Sequence, residues 1–228
     1  WFSQVREITL LYSLPDPLVT LTSPPTKAIW KSAVKSTVCR HWHDKLVAEA
    51  ATLPSLCHLR TPFLPLGRGS HPVWHTCGPS SSAVRAATIQ ARMLSGRYRT
   101  DWLRRHWGPG ETGACRLPSC TSPRGDLVHL LSGACPALAP TLARTLCHAI
   151  NLLSPFPIII HTIQDALLRE PEEFTSFLLD PSTFSSVIPL TQQHGKEILV
   201  LLFWFSRAWV WAAHQQRFRL LGLHEYLL

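Results

Sequence analysis

Cys115-Arg-Leu-Pro-Ser-Cys120-Thr-Ser-Pro-Arg-Gly-Asp-Leu-Val-His129-Leu-Leu-Ser-Gly-Ala-Cys135 is the stretch around which the rest of the chain can be organised. Four residues separate the first two cysteines, eight lie between Cys120 and His129, and five between His129 and Cys135. Three soft thiolates and one imidazole suit a tetrahedral zinc ion. Four protein ligands leave no open coordination position, so an ion held by Cys115, Cys120, His129 and Cys135 would be structural Zn2+. Pro118 sets a tight turn between the first pair, Pro123 and Gly125 return the chain to His129, and Gly133 closes a short Leu-rich turn before Cys135. The stretch looks too short to build a core alone, and an ion bound with about 10 kcal/mol or more would stand in for one. The competing reading is three free or buried cysteines beside an incidental histidine.

Immediately upstream stands Arg97-Tyr-Arg-Thr-Asp-Trp-Leu-Arg-Arg-His-Trp107. Guanidinium groups pair bidentately with phosphates, and an aromatic face can stack on a base for about 1–3 kcal/mol. Arg97, Tyr98, Arg99, Arg104, Arg105 and Trp107, with Arg116 and Arg124 from the Cys/His loop, form a candidate nucleic-acid face suited to single strands; the competing reading makes Tyr98, Trp102 and Leu103 core contacts of the short helix. Within the run, Thr100 caps a short helix and Asp101 sits in its positive first turn.

Elsewhere the chain reads as mainly α. Trp1, Val5, Ile8 and Leu11 recur at helical spacing until Pro15 and Pro17, and Thr26 caps a helix striped by Trp30, Val34, Val38, Trp42 and Leu46. Lys27, Lys31 and Lys35 lie along one flank of that helix. Pro, Gly, His and Ser dominate residues 53–82, predicting an extended linker. Residues 83–95 predict a helix with Val84, Ala87, Ala91 and Leu94 on its apolar side, stopped by Gly96. Beyond Cys135, helices are predicted over 136–153, 158–169, from Pro171, and over about 192–221 before Gly222. The domain reading is therefore 1–52, a helical segment; 53–82, a linker; 83–135, Arg-rich helices with the CCHC loop; and 136–228, a C-terminal helical segment.

Charge follows this division. Residues 1–80, 81–135 and 136–228 carry net charges of +4, +5 and −1, and every basic residue of the middle segment is an arginine. A polyanion partner fits, as does an ordinary solvated basic face. The apolar run Ile198–Phe205 is interrupted at Ser206 and Arg207, which predicts a buried helix and no membrane partner. Seven cysteines, with Glu7 and Asp16 in place of a basic cap and apolar run near the start, argue against a secreted disulfide framework. The reading places the chain inside the cell, in nucleus or cytoplasm. Trp1 at the start and the single methionine Met93 mark it as a piece of something longer. No Asp-Asp pair is present, none of Tyr12, Tyr98 and Tyr226 begins a Tyr-x-Asp-Asp motif, and Asp101, Glu111 and Asp126 are scattered, so no polymerase or nuclease activity is expected.

Met93-Leu-Ser-Gly-Arg-Tyr-Arg-Thr-Asp-Trp-Leu-Arg-Arg-His-Trp107, the CCHC array and Leu130-Leu-Ser-Gly-Ala-Cys-Pro-Ala-Leu138 together resemble the C-terminal zinc-binding region of non-LTR (LINE-type) retrotransposon reverse transcriptases. Val5 through Pro15, His71-Pro-Val-Trp74, Phe177-Leu-Leu-Asp-Pro181 and Arg217 to Gly222 look like segments flanking that finger. In that family the first cysteine pair is often closer than the four intervening residues here. The resemblance implies a module after the polymerase thumb, with Cys115, Cys120, His129 and Cys135 as metal ligands. It would hold template RNA or target DNA during target-primed reverse transcription, with RNA, single-stranded or target DNA and the upstream polymerase domain as partners. The rival readings are a helical protein–protein scaffold whose apolar, slightly acidic helices from Pro136 onward dock it onto that polymerase, and a degenerate retroelement remnant without present function.

Overall fold

The computed structural model describes residues 1–53, 58, 71–106, 108, 110–184 and 193–223. It is mainly helical, with no strand among the described residues, and it divides into two compact units. One unit contains residues 1–54 and 61–70; the other contains 55–60 and 71–228.

In the first unit, α1 (Phe2–Leu11), α2 (Pro17–Thr22) and α3 (Lys27–Thr52) form where caps and prolines dictate. Asp16 accepts the Leu18 amide at 2.8 Å with Pro17 at the first helical position, and Arg6 reaches the same carboxylate at 3.5 Å. Thr26 starts α3 by accepting the Ile29 amide at 3.4 Å, as its position predicts. Tyr12 meets His41 edge-on with ring centres 5.0 Å apart. Lys27, Lys31 and Lys35 are exposed along α3, and so are Leu10, Leu21, Ile29 and Trp42.

The second unit is built around one long helix. Its elements are α4 (Pro72–His75), α5 (Ser81–Leu94), α6 (Asp101–Arg104), α7 (Leu127–Leu131), α8 (Ala139–Leu153), α9 (Pro157–Leu167), α10 (Pro171–Leu179), a 3-10 turn (Pro181–Phe184) and α11 (Gln193–Leu220). α11 packs against α5, α7, α8, α9 and α10. Such centrality follows from its sequence: Leu202, Phe203, Phe205, Trp209, Val210 and Ala213 are all buried, on more than one side of the helix. Phe174 meets Trp209 edge-on at 5.5 Å, and Phe205 lies 5.8 Å from the same indole. No described helix is long and apolar enough to cross a membrane.

Arg207, which interrupts the apolar run, is buried and given work. Its guanidinium donates to the carbonyl oxygens of Thr76 at 2.8 Å and Val73 at 3.3 Å and to the Thr76 hydroxyl at 2.7 Å, so it caps α4. This corrects the reading of 53–82 as an extended linker. Pro72–His75 is helical, Val73 is buried, and Ser80 already caps α5; residues 54–57 and 59–70 lie outside the described set.

The expected stripe of α5 holds at Ala87 and Leu94, which are buried, but not at Val84. Val84 is 42% exposed, whereas Ala86, Ile89, Gln90 and Met93 are buried. The cause is Gln90, whose amide donates to Leu178 O at 2.9 Å, Leu179 O at 3.2 Å and Ser206 Oγ at 3.0 Å. It satisfies the carbonyls that end α10, so a polar residue occupies the core face. One hydrophobic cluster runs from Ile89 to Leu221 through both sides of Cys135, so the expected border between 135 and 136 is not a boundary in packing.

Candidate metal centre and its arginines

The Cys/His stretch assembles from three local devices. Gly125 N–H donates to Gly113 O at 2.9 Å and Cys115 N–H to Ser122 O at 3.0 Å, which lays two extended segments side by side. Between them the chain reverses: Cys120 N–H donates to Leu117 O at 3.2 Å, and Ser119 takes a left-handed φ of 61°. Asp126 then caps α7, its Oδ1 accepting the His129 amide at 2.9 Å, which fixes His129 on a defined turn. Gly133, at φ 83°, reverses the chain again and delivers Cys135 into the core.

These devices bring four ligand atoms together. The donor atoms of Cys115, Cys120, His129 and Cys135 all lie within 4.8 Å of one another. Cys115 Sγ and Cys135 Sγ are 4.0 Å apart, and Cys120 Sγ lies 3.2 Å from His129 Nε2. A tetrahedral ion with bonds of zinc–sulfur and zinc–nitrogen length would set such edges at about 3.5–3.8 Å. The four side chains could hold a metal ion.

Electrostatics pull in two directions: burial opposes the two thiolates and keeps the imidazole neutral. Burial pushes the Cys115 thiol up to about 12, and burial also raises Cys135; burial lowers His129 below the ordinary histidine range, against the pull of Asp126 and Asp101. Opposing the rise, the Leu117 amide donates to the Cys115 sulfur, and the Ala137 and Leu138 amides donate to that of Cys135. Amides aimed at sulfur favour thiolate, as a cation does; a neutral imidazole with an available Nε2 is the ligand form.

The stretch is not coreless, which corrects the expectation that an ion must replace a core. Cys115, Leu117, Leu130, Leu131 and Cys135 belong to the main hydrophobic cluster. The Trp209 indole N–H donates to Leu131 O at 2.9 Å, tying the end of α7 to α11.

Among the proposed nucleic-acid contacts, Tyr98 is the clear correction. It is 3% exposed, with its hydroxyl 3.1 Å from His214 Nδ1 and 3.5 Å from Arg217 Nη1. Its ring is a core contact, buried because the chain after Gly96 folds against α11. Trp107 lies outside the described residues. Arg97, Arg99, Arg105, Arg116 and Arg124 are exposed, and Arg104 is half-buried and paired with Glu111 at 3.4 Å. Trp102 brings two of them together: the Arg105 guanidinium stands 3.5 Å from its ring centre and that of Arg124 4.8 Å. Arg124 also pairs with Asp126.

Two supports of the loop, Asp101 and Arg217, were not recognised in the sequence, and Gly125 does more than return the chain to His129. Asp101, read as a first-turn helix residue, is buried against Arg217 at 2.9 Å and accepts the Arg116 amide at 3.2 Å. Arg217 lies far downstream, with no spacing signal to join it to the loop. Gly125 stands so close that a Cβ there would come within 3.0 Å of Cys115 Cα and of Asp101 Cβ. Outside that loop, His71 caps α4 by accepting the Val73 amide at 3.2 Å and pairs with Asp180 at 3.3 Å. Comparison with protein-family models, curated proteins and solved structures returned no match.

Proposed function

We propose that this chain is a zinc-stapled nucleic-acid-binding module from the C-terminal part of a non-LTR retrotransposon reverse transcriptase, contributing grip rather than chemistry. When bound at Cys115, Cys120, His129 and Cys135, zinc supplies a fixed crosslink between the turn bearing Arg116 and the loop bearing Arg124. The supporting observation is the paired approach of Arg105 and Arg124 to Trp102 beside the four ligands, with Arg116 exposed next to Cys115. Holding guanidinium groups over an indole limits their conformational freedom before a phosphate arrives, so less entropy is lost on binding. Template RNA or target DNA would be held mainly through the backbone, because the described aromatic residues of this face are engaged: Tyr98 in the core and Trp102 by arginine.

Binding of fluorescent single-stranded RNA and DNA at a series of salt concentrations tests this. Arg105→Ala/Arg124→Ala is expected to weaken both ligands and to reduce the log–log salt slope by about 0.7 per lost phosphate contact. An unchanged slope would contradict the face. The exposed Leu10, Leu21 and Trp42 of the first unit favour a second role, docking onto the upstream polymerase domain. Co-purification with that domain, lost on Leu10→Ser/Leu21→Ser substitution, would support it.

A further inference from the structure

Asp101, held by Arg217, and the indole of Trp209 reach the Cys/His loop from two points on the same long helix, α11. Asp101 is 1% exposed, and its two carboxylate oxygens are divided between different tasks. Oδ1 accepts from Arg217 Nη2 at 2.9 Å, and Oδ2 accepts the backbone N–H of Arg116, the residue after Cys115, at 3.2 Å. Gly125 closes the other side, with room for no side chain between Asp101 and Cys115. Arg217 is itself fixed: it is 4% exposed, lies 5.6 Å from the Tyr98 ring centre and reaches the Tyr98 hydroxyl. Eight residues earlier on α11, Trp209 donates to Leu131 O, at the end of the helix that carries His129. Residues 209 and 217 are separated by about 12 Å along a helix.

We propose that α11 is the template of the metal centre: Arg217, through Asp101, sets the Cys115–Cys120 turn, and Trp209, through Leu131, sets the His129–Cys135 segment. Asp101, Arg217 and Trp209 are positioning residues that touch no ligand atom, and the inference rests on the four-ligand site rather than on nucleic-acid binding. Metal affinity should therefore depend on residues well outside the Cys115–Cys135 stretch. An isolated-finger picture, in which metal and loop fold each other, predicts no such dependence.

The test titrates the full chain with Zn2+ against a chelator and with Co2+, whose thiolate charge-transfer and d–d bands report ligand geometry. Asp101→Asn leaves the shape and alters one side of the ion pair; Trp209→Phe leaves an aromatic ring and removes the indole donor. Each is expected to weaken Zn2+ binding by about 10- to 100-fold, the usual cost of losing a group that orients a ligand, and to alter the Co2+ spectrum. Arg217→Lys, which keeps the charge, should recover most of the affinity lost in Arg217→Met. Leu142→Ala in α8 serves as the control: it destabilises the same core from outside the Cys115–Cys135 stretch and removes no hydrogen bond to it, and its metal affinity should stay at the wild-type value. Wild-type affinity in Asp101→Asn and Trp209→Phe, or an equal loss in Leu142→Ala, would overturn the proposal while leaving the site standing. Failure of the wild-type chain to bind either metal would overturn both. Should Asp101→Asn fail to fold, Trp209→Phe and Arg217→Lys carry the same comparison.

Discussion

Gly125 shows how closely the metal loop is fitted. Replacing it by alanine would drive a methyl group to 3.0 Å from Cys115 Cα and from Asp101 Cβ, and backbone cannot swing aside as a flexible side chain can. Gly125→Ala is expected to lower unfolding free energy by about 1–3 kcal/mol, measured by urea denaturation of the metal-loaded chain. Gly108→Ala, where nothing stands within 4 Å of the added carbon, should be close to neutral. At this scale the Cys/His grouping was legible, because cysteine and histidine with turn-forming Pro and Gly between them carry their chemistry in their spacing. Their supports were not. Asp101 and Arg217 lie 116 positions apart, and nothing local distinguishes a carboxylate in a helix's first turn from one aimed into the core. Tyr98 was misread for the same reason: an aromatic flanked by exposed arginines looks solvent-facing until the helix that covers it is known.

Among elements, α11 decides most of what the second unit does. Its His214 is buried against Tyr98 and lies near Arg217 and, across on α5, Arg92. Burial first, then these two cations, lowers His214 from the ordinary 6.5 to about 4. The unfolded chain thus takes up this proton near pH 6.5 and the folded chain only near pH 4. The contribution to stability is complete above pH 6.5 and is lost as pH falls through that window. Between pH 7 and pH 5 the wild type should lose about 2 kcal/mol relative to His214→Gln, read from urea midpoints of both proteins. Equal pH dependence in the two would show that His214 charges without cost. Helix positions were readable where Thr26 and Thr100 cap helices and Gly96 and Gly222 take positive φ just past helix ends, whereas α2 with its Asp16 cap and the Ser80 cap of α5 were passed over. Faces were less so: Gln90 and Arg207 are polar residues on buried faces because distant carbonyls, at the ends of α10 and α4, need donors.

For the molecule as a whole, the sequence division into four segments gives way to two compact units, the second of which contains the metal loop as part of a common core. Composition could place arginines before residue 136 and apolar residues after it, but not show that Leu117, Leu130 and Leu131 share a cluster with Phe177 and Phe205. Long-range packing of this kind leaves no periodic trace. It also gives the loop an apolar anchorage of its own, so metal removal should loosen the second unit without unfolding it outright, unlike a free-standing finger. The account turns on one ion gripped by four side chains. Native mass spectrometry of the purified chain, paired with elemental analysis, measures this most directly. One zinc per chain is expected, falling to none in Cys120→Ala/His129→Ala. A chain without stoichiometric metal, or a zinc content indifferent to that double substitution, would contradict it.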